Sequence, residues 1–469
     1  MKELSKLANQ TFIYGLSSII GRLLNYLLVP LYTRCFSPSE YGVVTEIYAY
    51  VAFFTIILTY GMETAFFRFS VKEKNNRNVF STTLISIIFS STVFVFLMLL
   101  NSQQIASLIG YSNNQEYIVW FSIILALDSI SAIIFARLRK KNQAVKFALV
   151  RIINIAVNII CNIYFILIKG FGIEYIFISN LISSGVMLMC LFPETIRISW
   201  KFNFSLWNKM LKYSSPLLIA GLAGVINETL DRALLKQLLP NSKTALYELG
   251  LYGGFYKLAM IVTLFVQTFR YAAEPFFFAQ SNNKSSKKVY ASIMEYFVMF
   301  MSVVFLLITT YYEFFVNFLG PTFHDERGFF VVSILLLANI FLGIYYNLSI
   351  WYKLTDKTYF GALFSLVGAV ITIVMNLILI PKIGFKGSAI TTLACYVVMT
   401  ITSYFLSKKH YSIPYDLKRL FLYLMLMLIL YTLIFYTSFS IYINTLLLVG
   451  FLLVLIILQK HKKKINFQA

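Results

Sequence analysis

LLIAGLAGVINETLDRALLKQLL, residues 217–239, is long and apolar enough to cross a bilayer, yet it carries Glu228, Asp231, Arg232 and Lys236. Insertion scales put a charged residue at the bilayer centre near +3 kcal/mol, so four facing lipid would cost roughly 10 kcal/mol. Such a helix stands only where its polar face lines a watery cavity or pairs inside a bundle. The chain is therefore expected to move something polar through, or past, the middle of a membrane.

The rest of the chain agrees. Of 469 residues, 59% are hydrophobic and only 13% charged, against about 25% charged in soluble domains. Apolar runs of spanning length fall at approximately 10–32, 43–66, 80–100, 117–136, 147–168, 171–192, 214–238, 249–272, 289–310, 329–351, 359–380, 388–406, 417–437 and 440–459. The expected fold is all-α and polytopic, with about 14 transmembrane helices. The joints between runs are too short for a separate soluble domain.

A net charge of +21 would suggest nucleic acid in a soluble protein, but the positions of the cations argue for none. With the N-terminus inside, roughly 28 of the 40 Lys and Arg fall at cytoplasmic ends and about 6 at outside ones. Inside clusters include Lys72, Lys74 and Arg77, then Arg137, Arg139, Lys140 and Lys141, and finally Lys460 and Lys462–Lys464. This asymmetry predicts both termini in the cytoplasm, and attraction to anionic membrane lipids suffices to explain the basic loops. The first run carries Arg22 at its middle, so it reads as a span and not as a cleaved signal. Cys35, Cys161, Cys190 and Cys395 are scattered without metal or pairing spacing, and neither metal nor cofactor is expected.

Four regions follow: 1–193 (spans 1–6), an amphipathic cytoplasmic linker at 194–213, 214–406 (spans 7–12), and 407–469 (spans 13–14 and a basic tail). In the linker, SWKFNFSLWNKMLKY alternates aromatics with Lys201, Lys209 and Lys212, as an interfacial element does. A faint echo relates the halves: SPSEYG (37–42) then ETAFF (63–67), and ELGLYG (248–253) then AEPFF (273–277). Related lobes would place a substrate site at their midline. Spans 13 and 14 are almost charge-free and read as lipid-facing additions.

Several polar residues sit at membrane depth, each with a structural and a functional reading. Ser18, Arg22 and Asn25 share one face of span 1, and Arg22 lies too deep to snorkel. It suits an anion because its planar fork pairs oxygens and keeps its proton; an ion pair is the alternative. Arg151, Asn154, Asn158 and Asn162 form a stripe on span 5 that either contacts sugar hydroxyls or joins helices at roughly 1 kcal/mol per amide. On span 7, Glu228, Arg232 and Lys236 form a ladder at i, i+4, with Asn227 and Asp231 beside it. Span 8 adds Lys257, Gln267, Arg270 and Glu274. Asp128, alone on span 4, either pairs with Arg22 or Arg151 or couples transport to H+ or Na+, a role Glu228 could share. His324, Asp325 and Glu326, in NFLGPTFHDERG (317–328), read as a solvated turn. No nucleotide-binding, zinc-protease or nucleophile motif is present, and no enzyme activity is expected.

The stretches LKYSSPLLIAGLAGVINETLDRALLKQLL (211–239) and LGLYGGFYKLAMIVTLFVQTFRYAAEPFFF (249–278) carry Pro216, Asp231-Arg232, Gly250, Tyr252, Tyr256-Lys257 and Pro275-Phe276. With GLSSIIGRLLNYLLVPLYTRCFSPSEYG (15–42) and Asn376 through IPKIGFKGSAITT (380–392), they resemble the O-antigen-type oligosaccharide flippases of the multidrug/oligosaccharidyl-lipid/polysaccharide exporter superfamily. The resemblance implies two six-helix lobes in a V, with two further C-terminal helices, in the bacterial cell (inner) membrane. It implies alternating access through a central cationic cavity for an undecaprenyl-pyrophosphate-linked oligosaccharide, in O-antigen, lipopolysaccharide or other surface polysaccharide biosynthesis. Polysaccharide polymerase machinery is a further implied partner. Arg22, Arg232, Lys257 and Arg270 would then offset the pyrophosphate, with Asn25, Asn158, Asn162 and Asn227 toward the glycan and Glu228 and Asp231 in the same lining. A lipid II flippase, a cation-coupled drug exporter and a membrane-embedded glycan polymerase remain open.

Overall fold

The computed structural model describes residues 21–468 except 22, 25, 73–75, 197, 199, 240, 282, 284, 438 and 439. Among these the regular structure is entirely helical, and the protein is a multi-pass membrane protein. Among the described residues twelve helices are long and apolar enough to cross a membrane, the first of these Pro38–Val71 and the last Ile441–Lys460. Of the two further spans expected, 10–32 lies mostly outside the described residues. The helix on span 7, Phe204–Leu238, is not among the twelve, because its four charges dilute its apolar content.

Packing divides the chain into two compact units, Met1–Lys236 and Gln237–Ala469. The first contains α1 (Val29–Cys35), α2 (Pro38–Thr59), α3 (Met62–Lys72), α4 (Asn76–Leu100), α5 (Ser102–Leu108), α6 (Gln115–Lys140), α7 (Ala144–Asn162, prolonged by a π-helical turn, Ile163–Ile168), α8 (Glu174–Leu191) and nearly all of α9 (Phe204–Leu238). SPSEYG is a helix start: the Ser37 hydroxyl accepts the Glu40 N–H, the Glu40 carboxylate accepts the Ser37 N–H, and Pro38 takes the first turn. Tyr60 (φ +31°) and Gly61 (φ +71°) form the bend between α2 and α3. A Cβ at Gly61 would lie 3.0 Å from the Ser214 carbonyl oxygen, so glycine is what lets α9 approach this bend. Met62, Phe66, Phe80, Ile133, Phe135 and Met210 then close one apolar core from α3, α4, α6 and α9.

The sequence reading divides the lobes at 194–213, whereas the compact unit runs through α9 to Lys236. The reason is how α9 is held. Before it, Ser81 Oγ donates to the Lys201 carbonyl (2.9 Å) and the Asn203 N–H to Thr82 Oγ1 (3.2 Å). Within its first turn, Trp207 Nε1 donates to Ser86 Oγ (2.7 Å). At its far end Lys236 Nζ meets a Glu46 carboxylate oxygen at 2.9 Å. Both ends are thus fastened to the first unit.

The second unit contains α10 (Ser242–Gln280), α11 (Ser286–Thr310), α12 (Tyr312–Val316), α13 (Arg327–Leu348), α14 (Ile350–Leu354), α15 (Tyr359–Ile383), α16 (Phe385–His410), α17 (Leu417–Thr437) and α18 (Ile441–Gln468). α13 is its buried axis, with Val331, Leu335, Leu336, Ala338 and Ile340 at 0–1% exposure. The glycines of IPKIGFKG serve the α15–α16 turn: a Cβ at Gly387 would sit 2.8 Å from the Leu379 backbone.

α17 and α18 do expose most of their surface, but they are more than lipid-facing additions. Glu295 of α11, 3% exposed, accepts Tyr423 Oη (3.0 Å) and Gln459 Nε2 (2.8 Å), with Arg419 Nη1 at 3.8 Å. One buried carboxylate therefore anchors both C-terminal helices. Glu295→Ala should destabilise the second unit by about 2–4 kcal/mol, since it strands the groups that face it. Faster tryptic cleavage at Lys418 and Arg419 in detergent would report it; wild-type cleavage rates would remove the anchor from the account.

Candidate functional site

The charges of α9 part company in three dimensions. Lys236 is neutralised inside the first unit: Glu46 is 1% exposed and accepts Lys236 Nζ together with Tyr50 Oη (3.0 Å) and Tyr111 Oη. Lys236 also donates to the Ile109 carbonyl (2.6 Å) and lies 3.8 Å from the centre of the Tyr111 ring. Burial and the neighbouring Glu46 carboxylate push the Tyr111 hydroxyl far above its ordinary range, so it stays a donor. This is a closed, satisfied ion pair. Lys236, the last step of the α9 ladder, is thus held structurally, with Glu46 as its partner.

The remainder of the α9 stripe keeps polar groups on two faces. Asn227 and Asp231 are buried, and Glu228 is exposed. Arg232, with 14% of its side chain exposed, donates to the Glu228 carbonyl (2.8 Å) and has Nε 3.8 Å from Asp231 Oδ1. Asp231 Oδ1 also accepts the Arg232 N–H (2.8 Å). A carboxylate and a carbonyl thus orient the guanidinium, which also stands within electrostatic reach of Tyr41 on α2.

On α7 the amides behave differently from one another. Asn162, 0% exposed, accepts Tyr32 Oη (2.9 Å) and donates to the Asn158 carbonyl (2.7 Å) and side-chain oxygen (3.0 Å). Its amide is engaged at both ends in joining α1 to α7, the helix-packing reading of this residue. Asn158 is half-buried. Asp128, half-buried on α6, accepts the Ser184 hydroxyl of α8 (2.8 Å). Arg151 is near enough to couple to it, while its guanidinium lies 4.5 Å from the Phe135 ring centre. Arg22 and Asn25 lie outside the described residues.

In the second unit Lys257 is half-buried on α10. Arg270 Nε stands 4.0 Å from Glu274, its guanidinium over the Tyr346 ring at 4.6 Å. Lys353 of α14 ion-pairs with the same carboxylate. Two cations share one acid there, leaving net positive charge beside aromatic rings. The sequence reading missed Lys353, because it ends a span and looks like a headgroup anchor. It missed the role of Glu46 because Lys236 is 190 positions away.

At the other end of this unit Arg327 grips Asp325 (2.9 and 2.8 Å) and Glu248 (2.8 and 2.9 Å). Hydrogen bonds from Arg327 hold Asp325 below the usual carboxylate range. Because its folded pKa is depressed, this stabilisation is full at neutral pH and fades as pH falls through the folded value, below about 4. Asp325→Asn should flatten the acid limb of thermal stability in that window; an unchanged limb would rule the pair out as its source. Among the described residues no three His, Cys, Asp or Glu are grouped to hold a metal ion.

Comparison with known proteins adds to this geometry. A family model described as polysaccharide biosynthesis protein matches residues 31–325. No curated protein sequence matches the chain. Among solved structures, a lipid II flippase MurJ in an inward closed conformation aligns at TM-score 0.70 and 17% identity, over 94% of this chain and 97% of that one. An inward-facing multidrug resistance MATE-family transporter of the MOP superfamily aligns at 0.61 and 13%, over 85% and 94%. A point mutant of the Vibrio cholerae MATE transporter VcmN gives 0.61 and 14%, over 87% and 98%. At these identities the likeness is one of fold.

Proposed function

Since the chain belongs to the polysaccharide biosynthesis protein family, we propose that it flips a polyprenyl-pyrophosphate-linked oligosaccharide, by alternating access, from the cytoplasmic to the outer leaflet of the bacterial cell (inner) membrane. Both termini face the cytoplasm in this reading, and the product feeds surface polysaccharide assembly, O-antigen included, with the polymerase machinery as downstream partner. One observation carries it: in the second unit two half-buried cations, Arg270 and Lys353, face a single acid. Arg232 shares its surroundings with Asp231, and Arg270 and Lys353 share Glu274. A pyrophosphate needs such an excess, because an unpaired anion in hydrocarbon is costly. The prenyl tail stays in lipid and needs no polar enclosure.

In this reading Arg22, Arg232, Lys257 and Arg270 offset the phosphates, while Asn25, Asn158, Asn227, Glu228 and Asp231 meet glycan hydroxyls. Asn162 supports Asn158 and does not touch substrate. Asp128 or Glu228 carries a coupling H+ or Na+. The test uses cells lacking the protein, scored for surface polysaccharide and for lipid-linked oligosaccharide held in the inner leaflet. Loss of the surface polymer with accumulation of unpolymerised lipid-linked units, restored by the wild-type chain, supports the proposal. Accumulated peptidoglycan precursors would indicate a lipid II flippase instead, and normal glycan with altered drug sensitivity an exporter.

A further inference from the structure

The stretch NFLGPTFHDERG is not a plain solvated turn. With the end of α11, α12 and the facing ends of α17 and α18, it walls a cavity of about 910 Å³ within the second unit. That is near the upper end of small-ligand pockets, about 300–1,000 Å³. Among the described residues no Lys or Arg lines it, although the chain carries a net +21. Asp325 is taken up by Arg327, but Glu313 and Glu326 are exposed in the wall and form no ion pair among the described residues.

The floor is polar and underused. Thr309 donates back to the Phe305 carbonyl (3.0 Å), as a helical threonine normally does. Thr310 beside it is 7% exposed, and its Oγ1 has no hydrogen-bond partner among the described residues. The Tyr312 hydroxyl is also buried without one. Unpaired buried hydroxyls are destabilising and rare. On the opposite wall Phe329 stacks on Phe435 (5.4 Å, 18°).

We propose that this cavity is a carbohydrate site for a non-acidic sugar unit. Sugar hydroxyls donate to the Glu313 and Glu326 carboxylates and exchange hydrogen bonds with Thr310 and Tyr312. The carbon face of the ring lies against Phe329 and Phe435. A uronate or a phosphate is excluded, because two carboxylates and no cation face it. The choice of a sugar rests on the flippase reading, under which the cavity opens on the outer side and holds glycan that has already crossed.

Saturation-transfer NMR on the full-length protein in detergent tests this, with methyl glucoside, maltotetraose, tetragalacturonate and choline as probes. Wild type should contact both neutral probes and bind tetragalacturonate at least tenfold more weakly. Glu313→Gln with Glu326→Gln should weaken neutral binding at least tenfold, at an unchanged melting temperature. Thr310→Val, whose fold loses no hydrogen bond, should weaken it several-fold. No neutral probe bound at millimolar concentration, equal binding by the variants, or choline bound in place of sugar would each overturn the site. Translocation of lipid-linked oligosaccharide by the same preparation separates the two ideas. Translocation without sugar binding removes this site and leaves the flippase; sugar binding without translocation does the reverse.

Discussion

Arg232→Ala should lower surface polysaccharide at least tenfold while leaving the amount of protein in the membrane near wild type. The guanidinium is oriented by the Glu228 carbonyl and by Asp231. One charge-assisted hydrogen bond is worth about 1.5–3 kcal/mol, so a bidentate contact to phosphate lost in full exceeds a factor of ten. Arg232→Lys keeps the charge without the fork and should fall in between. Quantitative surface-glycan staining, normalised to protein in the membrane, checks the order. If Arg232→Ala exports as well as wild type, the guanidinium is structural and the cationic lining loses its best member.

The second large effect is on stability. Glu46→Ala leaves Lys236 buried and uncompensated, and Lys236→Ala does the same to Glu46; each should cost about 3–5 kcal/mol. For a unit of this size that lowers the apparent Tm by about 10 °C. Glu46→Leu with Lys236→Met replaces the pair by apolar groups and should recover most of the loss. Thermal unfolding in detergent gives all three values. A double variant as unstable as either single one would mean that the hydrogen bonds from Tyr50 and Tyr111 matter more than the charge pair.

What the residues reveal in advance follows from the range of the physics involved. Spanning helices are legible because each signals itself within about 20 consecutive residues, and SPSEYG announces a helix start within four. The fold class could therefore be read directly. Which partner each charge chooses could not. Lys236 and Glu46, Tyr32 and Asn162, and Glu295 with Gln459 are separated by more than a hundred positions, and nothing in local spacing encodes those meetings. The same limit turned the ladder Glu228–Arg232–Lys236 into a misleading unit: helical spacing places the three on one face, but the last residue bends into a closed ion pair. The polar cavity under NFLGPTFHDERG was hidden likewise, because its floor comes from α11 and its far wall from α17 and α18.

Passage of a lipid-linked oligosaccharide across a bilayer is the activity proposed for this chain. It is met most directly with the purified chain in liposomes holding a labelled polyprenyl-pyrophosphate-linked oligosaccharide, probed by a glycan-modifying enzyme added outside. Wild type is expected to expose the inner-leaflet pool to the enzyme, and Arg232→Ala to do so at least tenfold more slowly. An inner pool that stays protected in correctly folded wild-type liposomes, with the expected ion gradient applied, would contradict it.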